Sequence, residues 1–423
     1  MGSGVAGQLQ RRGKRSDESV GRDCQRPSSA FAAMLRRLRE RDESALSYAL
    51  FLVPLGIIIA RVLLSATAFG PQIGQHLPAS QVRWAVYGAL VMREILFGRY
   101  DKRACAALML FTGMGAIAWH ANVFAYVDVL VFAFAARNLR FRTIAKFVFA
   151  ELLVLAAAVY LCAGLSIIPD ILFTSDTPRP PRHALGFSHP NGAAACVLFL
   201  LIIWAYLRGD RYGAIDAGVS LVALFAIFRL TDSRSVVLAF LLFALLFLIL
   251  RLGPGKLRSP AFLKVAGPCA FIGIVSLGVA LCIGYDPASA WMQQLDSLVS
   301  GRLSLAHSAL AEYGMPLFGQ DVTLGKGSRY DYAAHVWVQA TAAPIVDCAY
   351  IQILIRCGPL FFLAAIGVVL NAIAYNARQA DWMLVIIAIV LAAYGLMEAV
   401  SASLSRDVFL LLLAVPFGMR EHA

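Results

Sequence analysis

A histidine and an asparagine stand together in Gly186-Phe187-Ser188-His189-Pro190-Asn191, directly ahead of an apolar run from Gly192 to Leu207. Polar groups at the mouth of such a run are costly unless they have partners or a task. Other ionisable residues fall at similar boundaries. Arg179, Arg182 and His183 come just before this motif, and Arg229, Asp232 and Arg234 follow the next apolar run. Arg302, His307 and Glu312 lie in a long polar stretch, with Asp347 and Glu398 beside later runs. A guanidinium is planar, offers paired donors and stays charged at any working pH, which suits phosphate and diphosphate. Several arginines around a histidine or a carboxylate therefore describe a site for an anionic phosphorylated substrate plus a base. Arg234 and Arg302, with Arg182, form the candidate clamp, and His189, His307 or Asp347 would orient or deprotonate an acceptor.

Each of these residues also has a plainer reading. Arg179 and Arg182, flanked by Pro178, Pro180 and Pro181, fit solvated loop charges, and His189 and Asn191 fit helix caps. Arg234 fits a headgroup contact with Asp232 as its ion-pair partner, and Arg302 with His307 fits a surface loop helix. Arg93 and Glu94 lie away from the rest and read as an internal pair. Glu151, in mid-run, reads as a group with a buried hydrogen bond.

The elements that must position these side chains follow from composition. A chain of 423 residues that is 60% hydrophobic and 15% charged, with a mean hydropathy of +0.72, is not an ordinary soluble domain. It reads as an all-α, polytopic integral membrane protein. At roughly 20 apolar residues per span, about twelve transmembrane helices are expected. They fall near Leu46–Ala66, Arg83–Gly98, Ala104–His120, Val123–Ala136, Ile144–Leu165, Ala193–Leu207, Ala214–Phe228, Val236–Leu250, Phe262–Ile283, Tyr350–Ala372, Trp382–Val400 and Val408–Pro416. Residues 1–45 read as a disordered basic cytoplasmic tail without a secretory signal, in which Met34 is an alternative start. Helices one to nine then occupy 46–283, a large extracytoplasmic loop 284–349, and helices ten to twelve with a short cytoplasmic tail 350–423.

With the tail inside, every loop assigned to the cytoplasm is basic, as at Arg99 to Arg103, Arg137 to Lys146, Arg208 to Arg211 and Arg251 to Lys264. The net charge of +12 is thus read as topology and not as nucleic-acid binding. The outer face receives Thr67–Val82, Ser166–Ser188, Leu230–Ser235, Gly284–Ala349 and Ser401–Arg406, and helix is expected within Pro287 to Leu310. The eight cysteines show no Cys-x-x-Cys pair and read as small structural hydrophobes.

In this setting Phe187-Ser188-His189-Pro190-Asn191-Gly192, opening a helix, resembles the Gly-His-Pro-Asn signature of Wzy-like capsular and exopolysaccharide polymerases. Further segments are similar to the family's in the same order. Thr231-Asp232-Ser233-Arg234 resembles its Thr-x-Ser-Arg turn. Ser300-Gly301-Arg302-Leu303, followed by Pro316-Leu317-Phe318-Gly319, resembles the opening of its large outer loop. Val346-Asp347-Cys348-Ala349-Tyr350-Ile351, then Gly358, resembles the Asp-Asn-Ser-Tyr segment that returns to the membrane, with Cys348-Ala349 in place of Asn-Ser. Gln320-Asp321 departs from the second glycine common after Gly319.

The resemblance implies a metal-independent membrane glycosyltransferase, GT-C-like and related in architecture to O-antigen ligases. Its substrate would be an undecaprenyl-diphosphate-linked oligosaccharide in the bacterial cytoplasmic membrane. It would polymerise repeat units at the outer face, alongside a flippase and a chain-length regulator. The expected catalytic residues are His189, Arg234, Arg302, Asp347 and His307. Arg182, Asn191, Ser233, Tyr350 and Glu398 are expected to bind substrate. No cofactor is implied: no Asp-x-Asp motif stands in an outer loop, and arginines would do what a divalent ion does elsewhere. A surface-glycan ligase of the same fold is the nearest alternative. A transporter of lipid-linked sugars is the other, although no inverted repeat stands out.

Overall fold

The structure is a computed structural model, and it describes residues 45–174, 180–325, 329–338, 343–399 and 403–419. The basic tail expected at 1–45 lies almost wholly outside the described residues. The apolar runs, with shorter helices between some of them, fold as α1 (Ala45–Ser65), α2 (Gly70–His76), α3 (Ala79–Phe97), α4 (Lys102–His120), α5 (Phe124–Ala135), α6 (Phe141–Gly164) and α7 (Pro190–Arg208). They continue as α8 (Ala214–Thr231), α9 (Arg234–Leu252), α10 (Pro260–Ile283), α11 (Ala290–Leu298), α12 (Arg302–Tyr313), α13 (Ala349–Arg378), α14 (Trp382–Met397) and a 3-10 helix at Val408–Phe417.

Helix starts follow local chemistry. Asp101, Ser259 and Asp381 accept from the backbone N–H three residues on, and Pro190 and Pro260 occupy the first turn, where a missing N–H costs nothing.

Each run read from hydropathy coincides with one of these helices. Seven are long and apolar enough to cross a membrane, and α5, α14 and the 3-10 helix are shorter apolar helices. α8 shows the environment most directly. Val222 and Phe225 are more than half exposed on it, and so wide an apolar face is stable against lipid rather than water. Helix also forms within the large polar loop, as α11 and α12. Two features were not legible in advance: β1 (Leu172–Phe173) with β2 (Arg182–His183), and β3 (Arg329–Asp331) with β4 (Val336–Val338), each a two-stranded antiparallel ribbon. Leu172 stands opposite His183 in the first, and Tyr330 opposite Trp337 in the second.

The loops separate into two sets at opposite ends of the bundle. Ser188 N–H donates to Ala66 O, Tyr332 Oη to Phe187 O, Arg182 Nε to Thr231 O and Arg302 Nη2 to Glu398 Oε1. With Ala68 N–H on Gly186 O, these contacts join four of the segments assigned to the outer face, and Glu398 lies just before the fifth. At the other end Glu94 takes both Arg93 and Arg137, Arg140 N–H meets Tyr48, Arg142 reaches Leu207 O, and a Cβ at Gly418 would meet Asn138 Oδ1. The expected internal pair of Arg93 and Glu94 is therefore present, extended by Arg137. Glu151 departs from expectation, because its Oε2 is buried and has no hydrogen-bond partner among the described residues.

Two glycines fix how the large loop returns to the bundle. α13 is broken at Gly358-Pro359, where Gly358 takes a φ of 80°. Pro316-Leu317-Phe318-Gly319 lies in that break, with Gln320 N–H on Arg356 O and Gly319 at a φ of 75°. A Cβ at Gly358 would run into the carbonyl of Pro316, and one at Gly319 into that of Arg356. Both the left-handed backbone and the close approach demand glycine. Gly358→Ala is expected to destabilise the protein by at least about 2 kcal/mol, read as a lower thermal midpoint in detergent and a lower membrane level. An unchanged midpoint would show that the loop does not dock in the break.

Candidate functional site

The described side chains that converge at this first end of the bundle are built up from three helix starts. The first is α7. Gly186 sits at a φ of 80°, where a Cβ would come within 2.7 Å of Ile168 Cδ1, and this tight turn delivers Phe187-Ser188-His189 to the helix. His189 is the N-cap, with Nδ1 accepting from the Asn191 N–H at 3.2 Å. A backbone N–H can only donate, so the ring proton sits on Nε2. Burial, and then Arg182 and Arg302, pull the imidazole down to about 4, so it is neutral at ordinary pH. His189 is accordingly a hydrogen-bond donor through Nε2, not a vacant base.

Asn191, the second residue of the same helix, links two charged groups. Its Oδ1 accepts from Arg182 Nη2 at 2.5 Å and its Nδ2 donates to Glu398 Oε1 at 2.8 Å. Arg182 is held by β2 and also donates through Nε to Thr231 O at the end of α8.

The second start is α12. Ser300 and Gly301 both take positive φ, and the buried Asp296 caps the helix by accepting the N–H groups of Leu303 and Ser304 at 2.8 and 3.2 Å. This arrangement aims Arg302 inward. Its Nε donates to Asp347 Oδ2 at 3.1 Å and its Nη2 to Glu398 Oε1 at 3.0 Å. Asp347 precedes the third start, α13, and keeps 42% of its side chain exposed, so it remains reachable.

Glu398, just past α14, is the hub of the cluster. Its Oε1 accepts from Asn191, Arg302 and Ser235 Oγ, the last at 3.0 Å. Burial pushes its carboxyl up from the ordinary range and Arg302 draws it back. Its three donors all favour the carboxylate. His189, Arg182, Asn191, Arg302, Asp347 and Glu398 thus share one site.

No family model, curated protein or solved structure matches this chain. The site is therefore read from its own geometry.

Four of the expected residues lie apart from the cluster. Arg234 is 60% exposed, and its nearest carboxylate is Asp232 at 3.9 Å. It begins α9, and one residue turns a helix by about 100°, so Ser235 faces Glu398 while Arg234 faces away. His307 sits on α12 with Arg302 but well round the helix. Its Nδ1 meets Cys282 O at 3.1 Å beside Tyr285. Tyr350 Oη donates to Ala392 O at 2.9 Å, and its ring lines an apolar crevice of about 210 Å³ shared with Phe111, Phe271, Phe361 and Leu413. Ser233 occupies the N-cap position of α9, buried, but makes no side-chain cap, and its Oγ has no partner among the described residues.

Sequence reasoning also missed two members. Ser235 stood one residue beyond the Thr231–Arg234 turn. Arg406 is 8% exposed, its Nε has no partner among the described residues, and its guanidinium contacts Cys196 within reach of Glu398. A Cβ at Gly192 would stand 3.5 Å from Arg406 Nη2. The glycine of the His-Pro-Asn-Gly motif therefore lies beside this buried cation. The available signal was an arginine opening a short apolar run.

Over His189 lies an aromatic layer. Phe173 meets the imidazole edge-on at 5.1 Å and Trp337 at 4.7 Å, and Trp337 in turn meets Tyr330. Phe173 stands on β1, Tyr330 on β3 and Trp337 on β4, so the two ribbons supply this layer. The arrangement offers guanidinium donors, an accessible carboxylate, a neutral imidazole donor and flat apolar faces at one end of the bundle.

Proposed function

We propose that the chain transfers a glycan from a lipid diphosphate to the hydroxyl of an acceptor sugar, polymerising oligosaccharide units as Wzy-like enzymes do. The observation that carries this reading is the bridge Asp347–Arg302–Glu398–Asn191–Arg182, which ties a partly exposed carboxylate to two arginines drawn from distant parts of the sequence. In the reaction, the acceptor oxygen bonds to the anomeric carbon as the bond from that carbon to the diphosphate breaks. The leaving diphosphate gathers negative charge, which fixed guanidinium donors stabilise. Asp347 takes the acceptor proton, and His189 Nε2–H orients an oxygen. The aromatic layer gives sugar rings a stacking face, and the apolar crevice beside Tyr350 gives an isoprenoid chain an apolar surface.

In this reading all twelve apolar helices are embedded in the bacterial cytoplasmic membrane in a GT-C-like arrangement, the site end facing outward and the basic loops inward. The decisive assay supplies purified protein in vesicles with a labelled lipid-diphosphate oligosaccharide. Glycan lengthening supports the proposal. Movement of the labelled lipid across the bilayer without lengthening would make the protein a transporter. A ligase would leave long lipid-linked chains in a deletion strain, whereas loss of a polymerase leaves single repeat units on the acceptor.

On this reading the exposed Arg234 lies outside the clamp. Arg234→Ala is expected to change polymer yield in a complemented deletion strain by less than about fivefold, because exposed charge contacts contribute about 0–1 kcal/mol. His307→Ala should behave likewise. A loss of a hundredfold from Arg234→Ala would return that arginine to the site.

A further inference from the structure

We propose that Cys282 and Cys348 close to a disulfide that staples the two ends of the large outer loop. Cys282 is the penultimate residue of α10 and Cys348 is the N-cap of α13, so all of the loop but its last two residues lies between them. α10 and α13 pack together, and the two side chains are hydrogen-bonded thiols, each 3% exposed. Both ends are tied to functional parts of the loop. Cys348 directly follows Asp347, and the carbonyl of Cys282 meets His307 on α12, the helix that begins with Arg302.

The surroundings assign the roles. The Cys348 thiol is held below its ordinary value, first by the hydrogen bond from Cys282 and then, against its burial, by the N–H groups of Ile351 and Tyr350 at the start of α13. A helix N-terminus stabilises a thiolate, which makes Cys348 the attacking group. The oxidant is a disulfide-bearing oxidoreductase of the extracytoplasmic side. The Cys348 thiolate attacks one sulfur of the carrier disulfide, forming a mixed disulfide and releasing the other carrier sulfur as a thiolate. Cys282, losing its proton, then attacks the Cys348 sulfur, forming the Cys282–Cys348 bond and breaking the mixed disulfide. Two electrons and two protons leave the pair, and the carrier departs as a dithiol. Both sulfurs are buried once the loop is docked, so the exchange belongs to folding. Its consequence is positional: the bond holds the residue after Asp347 against α10 and limits how far Asp347 can move from Arg302.

The inference rests on the outward assignment of this end of the bundle and not on the glycosyl-transfer reading. The test is a thiol count. Full-length protein is acid-trapped in membranes, denatured and alkylated without reductant, then measured by intact mass. Of the eight cysteines, two fewer are expected to react than after reduction, and digestion should yield a Cys282–Cys348 cross-linked peptide lighter by two hydrogens than its separate halves. In Cys282→Ser every remaining cysteine should alkylate, and if that variant fails to accumulate, the cross-linked peptide of the wild-type protein decides alone. Alkylation of all eight thiols without reductant, or a bond joining any other pair, overturns the proposal.

Discussion

Arg302→Lys is expected to lower glycan lengthening by a factor of about 10²–10³ while leaving the protein at its normal level in the membrane. The substitution keeps the positive charge, so net electrostatics hardly change. What it removes is the fork: Nε reaches Asp347 at 3.1 Å and Nη2 reaches Glu398 at 3.0 Å from one rigid plane. A single ammonium on a flexible stem cannot bridge two carboxylates and still present fixed donors to a diphosphate. Position adds to the effect, because Arg302 is the first residue of α12 and its backbone is set by Ser300, Gly301 and the Asp296 cap. Initial rates on a lipid-diphosphate oligosaccharide, with membrane level measured alongside, make the check. Near-normal rates would remove Arg302 from the chemistry and leave it a structural ion pair.

Much of this site was legible in sequence because membrane physics concentrates the signal. Polar residues at the mouths of apolar runs stand out against lipid-facing neighbours, and His189, Asn191, Arg302, Asp347 and Glu398 were found in that way. The helices were legible for the same reason, since an apolar run with basic flanks has few other uses. Helical phase was less legible. Ser235 and Arg234 are adjacent in sequence, and only the geometry of the α9 start shows which of them faces Glu398. The position of His307 is a similar case: its distance from Arg302 along α12 turns it toward Cys282. Tyr350 looked polar by type, yet its hydroxyl is consumed by Ala392 O and its ring serves an apolar wall. Hydropathy overlooked Arg406 because an arginine ahead of a short apolar run reads as a solvated flanking charge, whereas the fold buries it.

The ends of the bundle explain why loops, rather than helices, carry the candidate chemistry. A charge within a lipid-facing span has no compensating partner, whereas at the end of the bundle that carries the candidate site the loops and helix ends meet and satisfy one another. Thr231 O accepts Arg182, Phe187 O accepts Tyr332, and Glu398 collects donors from α7, α9 and α12. Such a network holds guanidinium groups in place before a substrate arrives, which is the condition for electrostatic stabilisation of a developing charge.

Asp347→Asn should be the second severe substitution, lowering the turnover rate by about 10²–10⁴ with a smaller change in apparent affinity. Asparagine keeps the size and one acceptor for Arg302 but cannot take a proton from the acceptor hydroxyl. The pH profile separates this assignment from its rival. Burial, with Arg182 and Arg302, holds His189 near 4, so the imidazole is neutral in the folded protein at every pH above that value. A rate that depends on Asp347 should therefore show no limb at the ordinary histidine value of about 6.5. The same sign governs stability: with the folded value below the unfolded one, the neutral ring contributes fully above about 6.5, and that contribution is lost as pH falls toward 4. A limb between pH 6 and 7 that disappears in His189→Asn would make the histidine the base and reduce Asp347 to a partner of Arg302. A flat profile across that range, together with a slow Asp347→Asn enzyme at normal membrane level, places proton transfer on the carboxylate that Arg302 holds at the mouth of α13.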